Sequence, residues 1–383
     1  MVSQRDAILS KSGIGDYTQT KREENPQRAK SEGWLVNTAA HNQKSIRVLI
    51  IGGTRFIGPF VVRQLVETGH QVTVFHRGQT ETDLPKSVQH LHGDRAQLLD
   101  FKHEFQQLAP QVVVDIAAYT EQEAKIVMQA FTSIAQRVVA ISSQDVYRAY
   151  ERVRRTNPGP PDPIPLTEDS PLRENFYPYR AQAKGQGDWQ YHYEKILVER
   201  VFMSNPDLPG TVLRLPQVYG PGDYQHRLFA YLKRMDDGRL LIPLEEGRAN
   251  WRWTRGYVEN VAAAIALAVV DGRALGRVYN VGEEMAFPEA EWIDRIGQAA
   301  GWQGKVVKVK SDQLPVHLAM NLDWNQHLVI DSSRIRRELG YAEPVPLDEA
   351  IARTIVWERE HPPKNIDATQ FDDATEDAAI ARS

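Results

Sequence analysis

RVLIIGGTRFIG, residues 47–58, has the pattern of a buried strand, a glycine turn and the start of a helix. Val48 to Ile51 form a short apolar run rich in β-branched residues, as a central strand of a parallel sheet requires. Gly52 and Gly53 allow backbone angles that other residues resist. Ile57, Val61 and Leu65 then recur at helical spacing, Pro59 sits in the first turn, and Gly69 is placed to end the helix. A second strand, Gln71 to Phe75, completes a βαβ unit. Exposed amides and a helix dipole at such a turn suit a phosphate, so the stretch points to a dinucleotide; the alternative is a turn with no ligand.

Working outward, strand and helix alternate. "VQHLHGD" precedes a helix over about 97–108, "VVVDIAA" a helix over about 121–132, and "RVVAISS" follows. This alternation predicts an α/β fold with a doubly wound, Rossmann-type parallel sheet. The Pro-rich segment 148–187 reads as a long irregular, functional or lid-like insertion, followed by a single helix over about 188–203. Residues 46–215 are expected to form mainly the dinucleotide-binding domain. Residues 216–360 are expected to form mainly a smaller, discontinuous lobe with segments returning to the sheet. Residues 1–45 read as a disordered arm, and 361–383, with five acids against two bases, as a disordered tail.

The 383 residues carry 46 Lys+Arg against 50 Asp+Glu, a formal charge of −4, which gives no global attraction to nucleic acid or anionic membrane. The absence of Cys excludes disulfides, thiolate catalysis and zinc–thiolate sites. No apolar run reaches the roughly 20 residues of a membrane span, so a cytoplasmic protein is expected.

Tyr191 and Lys195, four apart, would share one face of the 188–203 helix, where a nearby ammonium lowers a phenol pKa. Tyr193 is the competitor, ranked second because it falls on nearly the opposite side of a continuous helix. "ISSQDVY", 141–147, ends the fifth strand at the ligand-binding edge; its Ser either contacts substrate or caps the turn.

Taken in order, the glycine turn, Ser-Ser-x-x-Val-Tyr, Tyr-x-x-x-Lys, "LRLPQVYGPGD" and "YVENVAAAI" resemble extended short-chain dehydrogenases/reductases, the NAD-dependent epimerase/dehydratase superfamily. The resemblance covers about 46–360. It implies Ser143 as the carbonyl-orienting hydroxyl, Tyr191 as general acid/base, and Lys195 as its partner and a ribose ligand. It also implies cofactor contacts from Gly52, Gly53, Thr54, Phe56, Ile57, Gly58, Asp94, Ala117, Ala118 and Tyr119. Arg55 stands where the family usually has Gly, as in an atypical branch that includes chloroplast stem-loop RNA-binding proteins; it is a candidate phosphate contact. His76 and Arg77 replace the usual ribose-binding acid, which favours NADP over NAD. Gln144 and Asp145 stand where dehydratases have two acids, which argues against dehydration. Asp145, Arg252 and Arg255 are candidate substrate contacts. The reading is an NAD(P)-dependent epimerase or reductase acting on a nucleotide sugar, with a homodimer possible. The alternative is a non-catalytic or RNA-binding relative, for which the Trp251–Arg255 cluster offers the best local patch. His90, His92 and Asp94 alternate on a possible strand, but with no further ligand apparent no metal site is expected.

Overall fold

The computed structural model describes residues 44–80 and 82–383; the expectation for the N-terminal arm falls on residues up to 43, outside them. Eleven strands are formed among the described residues. They are β1 Arg47–Ile51, β2 Gln71–His76, β3 Gln89–His92, β4 Val112–Asp115, β5 Arg137–Ser143, β6 Gly210–Leu215, β7 Gln217–Tyr219, β8 Leu241–Glu245, β9 Arg255–Tyr257, β10 Val278–Asn280 and β11 Lys305–Val309. Seven make one parallel sheet in the order β10-β6-β5-β4-β1-β2-β3. Ile50 pairs with Val74 on one side and Val114 on the other, so the run 48–51 is the buried centre that its composition requires. The chain winds outward from β1 to β3 and then crosses back to β4. The crevice at the carboxyl ends of β1 and β4 is therefore the topological switch point, where open α/β sheets bind ligands.

Helices cover both faces. Ile57–Glu67 buries Val61, Val62 and Leu65 in the same core cluster as the Ala-rich helix Val258–Val270. On the other face, Glu121–Phe131 and Lys195–Phe202 share a core with Phe105 and Phe131. Thr120 and Glu123 close a reciprocal capping box, which fixes where the chain leaves β4. Two small parallel pairs, β7–β9 and β8–β11, and the helices Glu289–Ala300 and Leu347–Glu360 belong to the segments after β6. From among those segments, β10 returns to pair with β6.

Two expectations are corrected. The 361–383 tail is ordered: helix Asp373–Ile380 buries Glu376, whose carboxylate pairs with Arg234 and accepts from His317 Nε2 at 3.0 Å. The net acidity of the tail concealed one acid that is neutralised in the interior. The single helix over 188–203 is instead two, Trp189–His192 and Lys195–Phe202. The chain is extended at Tyr193 and Glu194 (φ −159°), and Glu194 serves as cap of the second helix, accepting from Ile196 N at 2.9 Å. The Arg173 guanidinium, 2.9 Å away and equally buried, holds Glu194 in place.

Candidate active site

The glycine turn lies at the switch point. Gly52, at φ +87°, donates to the Phe75 carbonyl, and a Cβ there would stand 3.0 Å from Ala117 Cβ. At Gly58 a Cβ would come within 2.6 Å of the Gly53 carbonyl carbon. Strand, turn and helix are thus as close as side-chain-free backbone permits, leaving a cradle that added atoms would fill. Phe56 enters the helix at φ +47°, its ring edge-on to Tyr224 at 6.2 Å. Thr54 accepts through its carbonyl from Thr82. Arg55 is exposed, and its Nε donates to Thr80 Oγ1 at 3.1 Å, so it leans toward the loop after β2. His76 ends β2, followed by the exposed Arg77. Asp94 caps the following 3₁₀ turn through Ala96 N.

Opposite the turn, buried Asp115 accepts from Ala117 N at 3.0 Å and pairs with Arg95 at 2.9 Å. Glu123 accepts from the amides of Tyr119 and Thr120. These contacts fix residues 115–120 as one wall of the crevice. Lys195 reaches this wall from behind: its Nζ donates to the carbonyls of Ala118 at 2.6 Å and Ile141 at 2.8 Å, joining the ends of β4 and β5. Burial lowers the Lys195 pKa to about 8, against the pull of Asp115 and Asp145.

Tyr193, only 6 % exposed, is the tyrosine brought to Ser143 and Lys195. Its phenol donates to Asp145 Oδ2 at 2.8 Å and lies in hydrogen-bonding reach of the Ser143 hydroxyl. Lys195 Nζ is 6.0 Å from its ring centroid and 5.0 Å from that of Tyr119. Tyr191 does not join this cluster. Its ring lies 4.8 Å from the Arg180 guanidinium, and its carbonyl accepts from Arg180 Nε. The helix break is the reason, since it abolishes the one-face geometry that favoured Tyr191. The expected depression of the phenol pKa is also absent: burial first, and then the Asp145 charge, push Tyr193 well above its usual value. Ser143 Oγ accepts from Asp145 N at 3.2 Å, so the turn-capping reading of this serine holds alongside its place beside Tyr193.

Asp145, expected as a substrate contact, is instead the hydrogen-bonding centre of this cluster. Its Oδ2 accepts from both Tyr193 and Tyr179, the latter at 2.9 Å, while its Oδ1 is buried without a partner. Tyr179 comes from the Pro-rich segment, whose Arg173 also donates to the Asp145 carbonyl. Sequence marked that segment as functional but gave no sign of which tyrosine turns inward.

A cavity of about 310 Å³ is lined by residues from the later part of the chain. Arg255 lines it, paired with Glu289 and lying 4.4 Å over the Trp292 ring. Arg248, which sequence reasoning passed over, donates to Tyr231 Oη at 2.5 Å and to Glu289 at 3.3 Å. Burial opposes ionisation of Glu289, but the two guanidiniums hold its carboxyl below the usual range. Arg252 does not line the cavity; its amide donates to His327 Nδ1. Trp251 and Arg255 are buried and, with Trp253, line this cavity, so only part of the cluster that suggested an RNA-binding surface faces outward. Trp253 Nε1 is a buried donor without a partner. Tyr150 links the two regions: its ring is edge-on to Trp253 at 6.5 Å, and its phenol feels both Asp145 and the cavity residue Arg227.

Residues 48–282, well over half of the chain, match the NAD dependent epimerase/dehydratase family. The chain belongs to that family. Among family relatives, dTDP-glucose 4,6-dehydratase of Streptomyces griseus is 30 % identical over 197 residues, covering 51 % of this chain and 53 % of that protein. The chloroplast stem-loop binding protein of 41 kDa b of Arabidopsis thaliana is 25 % identical over 266 residues, covering 66 % of this chain and 62 % of that one. The chain thus spans between half and two-thirds of these two relatives. The fold matches the Bordetella bronchiseptica enzyme WbmG, solved in complex with NAD and UDP, with a TM-score of 0.62 at 19 % identity over 83 % of this chain and 96 % of that one. No helix among the described residues is long and apolar enough to cross a membrane.

Proposed function

We propose that the protein is an NAD(P)-dependent epimerase or reductase acting at a carbinol or ketone carbon of a nucleotide-sugar-like substrate, with Tyr193 rather than Tyr191 as its acid/base. The observation that carries this reading is the convergence of Tyr193, Ser143, Asp145 and Lys195 at the ends of β4 and β5, beside the glycine turn. The cradle at Gly52 and Gly58 fits a dinucleotide, and Gly52 to Gly58 with Ala117 to Tyr119 would hold it. A bound nicotinamide would supply the acceptor and donor of hydride.

The remaining chemistry belongs to the chain. As the substrate C–H pair leaves as hydride, the substrate hydroxyl gives its proton to Tyr193 Oη, and Oη passes its own proton to Asp145 Oδ2. One proton and one hydride leave the substrate, and a carbonyl remains. In the reductive direction both transfers reverse. Ser143 Oγ–H orients the carbonyl oxygen. Lys195 keeps the ends of β4 and β5 joined and places a cation behind the aromatic rings of Tyr119 and Tyr193. The cavity lined by Arg248, Arg255 and Trp253 suits the nucleotide portion. Gln144, where dehydratases have an acid, argues against elimination. Arg77, exposed just after β2 where an acid is usual, favours NADP.

The test is fluorescence titration of the full chain with NADH and NADPH, followed by incubation with UDP- and dTDP-sugars and detection of products by mass spectrometry and NMR. Binding of NADPH in the micromolar range and conversion of one sugar class are expected. Failure of both nucleotides to bind below about 1 mM, the upper range of ordinary enzyme affinities, would refute the proposal.

A further inference from the structure

The C-terminal ends of β2 and the edge strand β3 bring together three histidines. In the parallel register His76 pairs with His92 and Val74 with His90, so His90 and His92, two apart, share the sheet face of His76. One ring nitrogen from each lies within 4.8 Å of the others, and the ring centroids are 4.7, 5.1 and 6.3 Å apart. From this geometry we propose that His76, His90 and His92 bind a divalent transition-metal ion of the zinc class, with the remaining coordination position open to solvent or a small ligand.

Three points of chemistry carry the assignment. Metal–nitrogen bonds of about 2.0–2.1 Å in a tetrahedron place ligand nitrogens about 3.3–3.4 Å apart, a spacing these side chains reach by small rotations. The donor set is imidazole alone, because Asp94 is turned away to cap Ala96; this selects zinc, copper, nickel or cobalt over magnesium or calcium. His90 and His92 are exposed on an edge strand, so an ion enters without unfolding the sheet.

His76 Nε2 and His90 Nδ1 are 2.9 Å apart, and the Gly78 amide donates to His76 Nδ1 at 3.2 Å. That amide places the His76 proton on Nε2, between the two rings. An ion taking Nε2 moves this proton to Nδ1, so Gly78 must release its hydrogen bond. Gly78 is exposed in the loop that leads to Thr80, the partner of Arg55 in the glycine turn. Metal occupancy therefore ties β2 to β3 and alters the loop bordering the turn.

The experiment uses the full chain without a polyhistidine tag. Co²⁺ titration, followed by its visible absorption, should show one tetrahedral ion per chain that Zn²⁺ displaces, and Zn²⁺ should raise the melting temperature. The double variant His90→Gln/His92→Gln should weaken binding by at least about 100-fold, since loss of even an outer partner of a ligand costs 10–100-fold. It should also abolish the thermal shift while melting at the metal-free wild-type temperature. The single variant His90→Gln reports independently should the double variant unfold. His361→Gln, outside the cluster, should bind as wild type does. Absence of stoichiometric binding, or binding unchanged in both cluster variants, overturns the assignment.

Discussion

Tyr193→Phe removes one oxygen and leaves the ring that packs near Lys195 and Tyr119. That oxygen is both the proposed proton carrier and one of two donors to Asp145 Oδ2; Tyr179 supplies the other at 2.9 Å. Loss of a hydrogen bond to a charged group costs about 1.5–3 kcal/mol of stability, small beside the 5–15 kcal/mol of an ordinary domain, so the variant should fold. Loss of a positioned acid/base costs about 10²–10⁴ in rate, or about 3–5.5 kcal/mol of transition-state stabilisation. The assay is kcat for the nucleotide sugar identified by screening, normalised to protein folded by circular dichroism. Tyr191→Phe is the control, because the described contacts of Tyr191 use its ring and carbonyl. It should change the rate by no more than about twofold, the effect of a 0.5 kcal/mol surface substitution. Asp145→Asn adds a readout that a purely structural role would not move. Asp145→Asn removes the proposed proton acceptor together with a charge that raises the Tyr193 pKa, so it should both lower kcat and shift its alkaline limb to lower pH. A Tyr193→Phe enzyme with near-normal kcat, alongside a Tyr191→Phe enzyme reduced 100-fold, would refute the assignment.

Gly58→Ala places a methyl 2.6 Å from backbone that cannot yield, and should cost about 1–3 kcal/mol while abolishing NAD(P)H binding by fluorescence; retained affinity would remove the turn from the cofactor site. Glu283 is raised to about 7 by burial, although Tyr219 and the Tyr257 amide donate to it. A folded pKa above the unfolded 4.5 stabilises at low pH, and that contribution disappears as pH rises through about 7. The shift corresponds to at most about 3.4 kcal/mol, reduced to about 1–2 by partial exposure. Glu283→Gln should therefore raise the melting temperature relative to wild type at pH 8 and not at pH 4.5; equal effects at both would contradict this. Glu376→Ala leaves the Arg234 guanidinium buried without its carboxylate, which costs about 3–5 kcal/mol, and should make residues 367–383 exchange amide protons rapidly. Unchanged protection there would show that the tail docks by other contacts.

The central fold was legible because its signals are local. The run 48–51 has the composition of a doubly buried strand, Gly69 terminates the first helix at φ +88°, and Thr120 with Glu123 marks another helix start within four residues. The tail was not legible, because its order depends on Arg234 and His317, far earlier in the chain, meeting one acid among five. The histidine cluster was half legible. Alternation of His90 and His92 was visible, but His76 joins them only through the β2–β3 register.

The same distinction explains the tyrosines. In a continuous helix a residue two positions before Lys195 points away from it, and by that rule Tyr191 is the partner. The rule fails because the helix fails. The Glu194 carboxylate is bound by Arg173, 21 residues earlier, and its amide donates to the Tyr119 carbonyl at the end of β4. Those contacts hold Glu194 extended and start a new helix at Lys195, although Glu is not among the strongly preferred caps. The break rotates Tyr193 toward Ser143 and Asp145, and the same new helix directs Lys195 to the carbonyls of Ala118 and Ile141. A motif spacing therefore predicts which side chains share a face only where the helix it assumes is intact. Arg173, which touches neither Tyr193 nor Lys195 among the hydrogen bonds described, holds the Glu194 carboxylate at the break between them. Arg173→Met should accordingly lower kcat while Tyr191 stays uninvolved, and a double Arg173→Met/Tyr193→Phe variant should be no slower than Tyr193→Phe alone; additive losses would show that Arg173 acts by another route.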